Sequence, residues 1–161
     1  MFVYVRFEFD GSPLLPSSPP FGFEESIQVF SVSTSLARRG PVGGLSGTIG
    51  ASTVPGVEIV KRVDSATPAF SMSISDGRRF QIRAQVVEPD QSGQEVNTFD
   101  IELDDAVVAI QEINLGPPPA DVGAPHARPI YWERLVFHWV RMRIIHHEPR
   151  TEMELTWGLD P

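Results

Sequence analysis

V-E-I-V-K-R-V-D-S-A-T-P-A-F-S-M-S-I-S-D-G-R-R-F, the stretch from Val57 to Phe80, changes its period twice. It opens as a strand, with Val57, Ile59 and Val63 on alternate positions and β-branched residues dominant. Thr67-Pro68 then reads as a helix start. The Thr67 hydroxyl is expected to accept from a free amide of the first turn, and Pro68 at the first helical position sacrifices no hydrogen bond. Phe70 and Ile74 stand one turn apart and form the expected docking face. Asp76-Gly77 ends the helix, because glycine accepts the left-handed conformation of a C-terminal cap. Phe80 begins a new alternating run. The unit is strand, helix (64–76 with its start signal), strand. A helix this short is unstable alone, so it must dock on the sheets and mark where they are closed off.

Outward from this unit the chain reads as β-structure. Residues 2–9 alternate, with Val3, Val5, Phe7 and Phe9 against Tyr4, Arg6 and Glu8. Residues 10–22 are broken by prolines. A second strand over 25–34 changes phase between Ile27/Val29 and Phe30/Val32, the mark of a bulge or of burial on both faces. Residues 79–87 alternate as a half-exposed antiparallel strand. Residues 96–114 carry two apolar sets around Asp104-Asp105, which predicts a bend or bulge there, and Asp100 and Glu102 fall on the expected wet face. After a proline-rich loop over 115–129, residues 130–147 give the longest strand pattern. Met142 and Ile144 leave the phase of Leu135, Phe137 and Trp139, so a bulge is expected near Val140-Arg141. Met153, Leu155 and Trp157 alternate in a last strand. Seven or eight strands and one helix make a single mainly β domain over 1–161: a two-sheet antiparallel β-barrel or sandwich with one short α-helix on its flank.

The segment 35–56 stands apart. It is rich in glycine, nearly uncharged beyond Arg38 and Arg39, yet carries Val42, Leu45, Ile49 and Val54. A long loop that is both glycine-rich and apolar suits a segment that orders itself against a partner.

Composition narrows the function. The 161 residues hold one domain with a real core, no cysteine and a net charge of −8. Only one lysine is present, Lys61, so no basic face exists for nucleic acid. No apolar run is long enough to insert into a membrane. The N-terminus alternates and does not resemble a signal peptide, so the chain is expected to fold in the cytoplasm and to leave, if it leaves, by another route. His146 and His147 are adjacent and would point to opposite faces of a strand, so no metal site is expected. No nucleophile elbow, phosphate loop or flanking carboxylate pair appears, so neither catalysis nor a cofactor is expected.

Five segments in order resemble the haemolysin-coregulated protein (Hcp) family of type VI secretion systems. They are I-Q-V-F-S-V-S (Ile27–Ser33), V-E-I-V-K-R-V-D-S-A-T-P-A-F (Val57–Phe70), F-D-I-E-L-D-D-A-V-V (Phe99–Val108), E-R-L-V-F-H-W-V-R-M-R-I (Glu133–Ile144) and T-W-G-L-D-P (Thr156–Pro161). The usual tryptophan of the family's second strand is missing here, with Phe30 or Val32 nearby. The resemblance implies hexameric rings stacked into a hollow inner tube, driven out of the cell by a contractile sheath, with a spike protein in the same machine and effectors in the lumen. It also implies that the 35–56 loop, through Arg38, Arg39, Val42, Leu45 and Ile49, reaches the adjacent ring. Two other readings share the fold: a tube subunit of a phage tail or extracellular contractile particle, and a ligand-binding β-domain. The last should expose aromatics on one face, whereas Trp132, Trp139 and Trp157 read more simply as core or interface residues.

Overall fold

A computed structural model describes residues 1–35, 56–117, 130–148 and 150–156. Arg38, Arg39, Val42, Leu45, Ile49, Val54 and Trp157 lie outside the described residues, as does most of the 115–129 loop. The elements are β1 (Phe2–Phe9), β2 (Ser12–Pro13), β3 (Ile27–Val29), β4 (Ser31–Thr34), β5 (Gly56–Arg62), α1 (Thr67–Asp76), β6 (Phe80–Pro89), β7 (Glu95–Gly116), β8 (Ile130–His138), β9 (Arg141–His147) and β10 (Arg150–Thr156). All strand pairings are antiparallel. The mainly β fold with one short helix is the one expected. The hydrogen-bonded path β2-β1-β6-β7-β8-β5-β4 stays open rather than closing into a barrel.

One strand joins the two sheets. β7 runs 22 residues, and it, not 130–147, is the longest strand. Its first half pairs with β6 and β9, and its second half pairs with β8. Between them the register against β6 slips, with Ile82 opposite Leu103 but Phe80 opposite Ala106. Asp105 takes a φ of 52° there, a left-handed conformation that a short polar side chain tolerates. The acidic pair therefore sits on a bulge. Opposite it β8 ends and β9 begins, and the Val140 amide donates to the Asp104 carbonyl. The phase slip of 130–147 is this corner, and it separates two strands instead of bulging one.

The phase change at Phe30 has a similar cause. β3 pairs with β1 and β4 pairs with β5, so one residue carries the chain from one sheet to the other. Neighbouring positions then face the core from different sheets.

The core is aromatic at its centre. Phe7, Phe70, Phe80 and Phe137 are all 0–1% exposed, and their ring centroids stand 4.9–6.2 Å apart. Edge-to-face packing of this kind adds to simple area burial. Trp139 is buried at the corner, so it belongs to the core as expected. Tyr4, assigned by alternation to the outer face, is buried as well, because Phe23 stacks on it at 4.1 Å.

The helix differs from expectation in three ways. It begins at Thr67 rather than 64, so Pro68 is its second residue, and Ala66 is the N-cap with no side-chain capping bond. Its buried residues are Thr67, Phe70 and Ser73, three apart, while Ile74 is 49% exposed. The docked stripe follows i, i+3, i+6, and Ile74 lies just off it. Gly77 does end the helix in the left-handed conformation, φ 69°, and its amide bonds to the Ser73 carbonyl.

Candidate assembly surfaces

The helix is held by a polar lock that the apolar pattern alone did not reveal. Lys61 lies on the inward phase of β5, between Ile59 and Val63, and is 0% exposed. Its three ammonium donors are all used: Glu133 Oε1 at 2.7 Å, Asp64 Oδ1 at 2.8 Å and the Arg62 carbonyl at 2.8 Å. Glu133, also 0% exposed, stands directly opposite Lys61 across β5 and β8. Its carboxylate also accepts from the Thr67 hydroxyl at 2.6 Å and from the Gln111 amide at 2.7 Å. Thr67 is spent here, bonding Glu133 and accepting from the Asp64 amide at 3.0 Å, which is why it does not cap. Asp64 in turn accepts from the Ala66 amide at 2.9 Å, forming the turn that delays the helix. A buried ion pair this fully hydrogen-bonded meets the condition for surviving its desolvation penalty. Sequence carried a signal for it: the one lysine and Glu133 both sit in phase with buried apolar residues.

The outer face of the first sheet is a charged lattice. Arg6, Arg83, Glu102, Arg143 and Glu154 stand opposite one another in turn across β1, β6, β7, β9 and β10. Arg6 bonds Glu25 at 2.6 Å and Glu8 at 3.1 Å, Arg143 chelates Glu102, and Arg141 bonds Asp104. The hydrogen bonds that Arg143 donates to Glu102 and Arg141 donates to Asp104 hold both guanidinium pKa values above their ordinary value. A groove of about 630 Å³ runs over this face between the sheet and the segment 22–26, lined by residues including Arg6, Glu8, Phe23, Arg83 and Asp104. Arg6, Glu8, Glu25, Arg83, Glu102 and Asp104 are each engaged in an ion pair, and the Glu24 carboxylate accepts from the Gly22 amide.

Asp100 departs from its expected place on the wet face. It is 0% exposed. Burial alone would raise its pKa. Bonds from Asn97 Nδ2 at 2.6 Å and Arg83 at 2.7 Å, the charge of Arg83 and a contact with His147 outweigh burial and hold the carboxyl below its usual range. Among the described residues no group of three His, Asp or Glu side chains is placed to hold a metal ion.

Several strands keep an unpaired edge among the described residues, β2 and β3 beyond β1 and the second half of β7 included, and two of them differ most. β10 pairs only with β9, and β4 pairs only with β5 among the described residues. β10 is exposed along nearly its whole length and carries Arg150, Glu152 and Glu154, with Met153 44% exposed. β4, S-V-S-T, carries no charge. The two edges differ in length and chemistry. A second exposed feature is apolar. Leu115 and Tyr131 face each other at the far end of β7 and β8, 67% and 63% exposed, with Ile113 beside them.

Comparison with known proteins places this architecture. The family described as "Type VI secretion system effector, Hcp" matches residues 17–146. Among solved structures, an Hcp protein crystal structure superposes with a TM-score of 0.76 at 16% identity, covering 98% of this chain and 99% of that one. Hcp1 from the E. coli EAEC 042 pathovar gives a TM-score of 0.74 at 17% identity, covering 98% and 99%. The secreted protein Hcp3 of Pseudomonas aeruginosa gives 0.73 at 14% identity, covering 98% of both chains. No curated protein sequence matches the chain.

Proposed function

This chain belongs to the Hcp family of type VI secretion system proteins, and from that premise we propose that it is a structural subunit of the secretion machine's inner tube. Copies join side by side into hexameric rings, and rings stack into a hollow tube. Sheath contraction around the tube expels it, with the spike protein of the same machine and effectors held in the lumen. Assembly takes place in the cytoplasm and the tube ends outside the cell. The role asks no catalysis of the subunit.

The observation that carries the ring is the contrast between two of the open edges, β10 and β4. Identical edges would pair isologously and stop at a dimer. A long charged edge at β10 and a short neutral one at β4 instead favour head-to-tail contacts, which give a ring where the rotation between subunits closes. A rigid subunit serves this geometry, and the Lys61–Glu133 lock and the shared strand β7 supply rigidity. Stacking is assigned to the loop 35–56, through Arg38, Arg39, Val42, Leu45 and Ile49.

Native mass spectrometry with negative-stain microscopy tests the reading. Six-membered rings are expected, and a strictly monomeric species at high concentration would overturn it. Deletion of residues 38–52 is expected to leave the fold and the rings intact and to weaken stacking. Unchanged stacking would remove the loop from that role.

A further inference from the structure

His147 ends β9, and its Nε2 lies 3.3 Å from Asp100 Oδ2 and 3.4 Å from Asn97 Nδ2. Asn97 Nδ2 is itself committed to Asp100 Oδ1 at 2.6 Å, while Asn97 Oδ1 is buried without a hydrogen-bond partner. Which of these contacts the imidazole makes depends on where its protons sit. With its bare nitrogen turned to this cluster, neutral imidazole can accept from Asn97 but then sets a lone pair against the Asp100 carboxylate. With a proton there it donates to Asp100, and with both nitrogens protonated that bond becomes charge-assisted. Asp100 is fully buried, so the bond is shielded on the carboxylate side, although the imidazole itself is 36% exposed.

The other groups around the imidazole are few. Arg83 on β6 reaches the far side of Asp100. Arg150 on β10 stands opposite His147 in register, and Glu148 follows it in the chain. Arg143, further along the same face of β9, is engaged by Glu102 and Glu152. Asp100 is therefore the carboxylate that the imidazole meets at bonding distance.

The position of this contact gives it consequence. β9 holds the edge strand β10, and β10 has no other partner among the described residues. His147 is the last residue of β9 before the turn into β10. We propose that His147, Asp100 and Asn97 form a proton-sensitive latch that fastens the β9–β10 hairpin to β7, tight in mild acid and looser above neutrality. The open edge of the sheet is thereby sensitive to pH. The inference concerns contacts within one subunit and stands whether or not rings form.

Hydrogen–deuterium exchange over residues 150–156, corrected for intrinsic rates, tests it at about pH 7.5 and about pH 5.5, the range in which imidazoles ordinarily gain charge. The whole chain is expected to gain protection there by about three- to fivefold in the acid sample, as suits a partly exposed charge-assisted bond. His147→Gln should abolish the gain. His146→Gln, one residue away on the other face, should keep it and carries equally any change in assembly between the two samples. A parent chain with no gain, or a His147→Gln chain that retains it, would overturn the latch.

Discussion

Replacing Lys61 by methionine keeps the stem that packs beneath the helix and removes only the ammonium group. In the parent that group makes three hydrogen bonds, to Glu133, Asp64 and the Arg62 carbonyl. Asp64 is little affected, because it still accepts from the Ala66 amide and reaches solvent at 14% exposure. Glu133 is the problem. It stays fully buried, keeps the Thr67 and Gln111 bonds, and loses its only counter-charge among the described residues. Breaking a buried pair from one side costs ~3–5 kcal/mol, and two surviving hydrogen bonds place this case at ~3–4 kcal/mol. Since whole domains are stable by only ~5–15 kcal/mol, the variant should unfold far earlier. Adding Glu133→Gln removes the orphaned charge, so the double variant should recover to within ~1–2 kcal/mol of the parent. Urea unfolding followed by tryptophan fluorescence and far-UV circular dichroism measures this, at fixed protomer concentration because assembly shifts the midpoint. The reasoning is refuted if Lys61→Met lies within ~1 kcal/mol of the parent, or if the two substitutions add without coupling.

Two further outcomes follow from particular residues. Phe70→Ala, which empties the centre of the aromatic core, should cost ~3–5 kcal/mol, while Ile74→Ser on the exposed side of the same helix should stay within ~0.5 kcal/mol by the same urea titration. Asp100 has a depressed pKa in the folded chain, so the stability it contributes is complete above the unfolded carboxyl value of about 3.9 and is lost as pH falls through its lower folded value. Acid titration of unfolding midpoints should therefore show a shallower decline for Asp100→Asn than for the parent below about pH 4, and parallel declines would show that Asp100 is not a source of the acid sensitivity.

The strands were legible where one face meets the core and the other meets water. β1 and β6 repeat every second residue for that reason, and their registers follow. The phase changes at Phe30 and near Val140-Arg141 are visible in the sequence, but their meaning is not. A strand that changes sheet and a strand that bulges leave the same trace in a sequence, since both move the core to the other parity. Asp104-Asp105 leaves two readings open in the sequence, a bend between two strands and a bulge, and the unbroken run of β7 follows from the second. A bulge with one left-handed residue lets the ladder bend there without ending. The helix docking face was misjudged by one position, because Phe70–Ile74 and Phe70–Ser73 both lie within one turn and hydrophobicity favoured isoleucine. Ser73 is buried instead, its hydroxyl satisfied by the Phe70 carbonyl at 2.7 Å. Asp100 escapes an alternation argument because alternation sorts residues by side and is silent on whether a polar side finds cover, whereas Lys61 and Glu133 stand on the core phase itself, where a charge is the signal.

The buried lock also bears on register. Lys61 opposes Glu133, and its neighbours Val60 and Arg62 oppose Arg134 and Trp132. A slip of β5 by one residue would turn the lysine from Glu133 to Arg134 or Trp132 and strand both charges. An apolar pair at these positions would also resist that slip, which turns the buried face outward, but would tolerate a slip of two residues far better than the ion pair does, because aliphatic side chains do not distinguish one greasy neighbour from another. If the ion pair serves registry, the Lys61→Met/Glu133→Gln chain should recover global stability yet lose local order. Hydrogen exchange should then be faster along β5 and β8 than along β1 and β6, relative to the parent. That pattern matters for assembly, because β4 is carried on β5 and its open edge moves with it. A uniform fall in protection across all four strands would show that the pair contributes stability alone, and that the apolar alternation already fixes how β5 lies on β8.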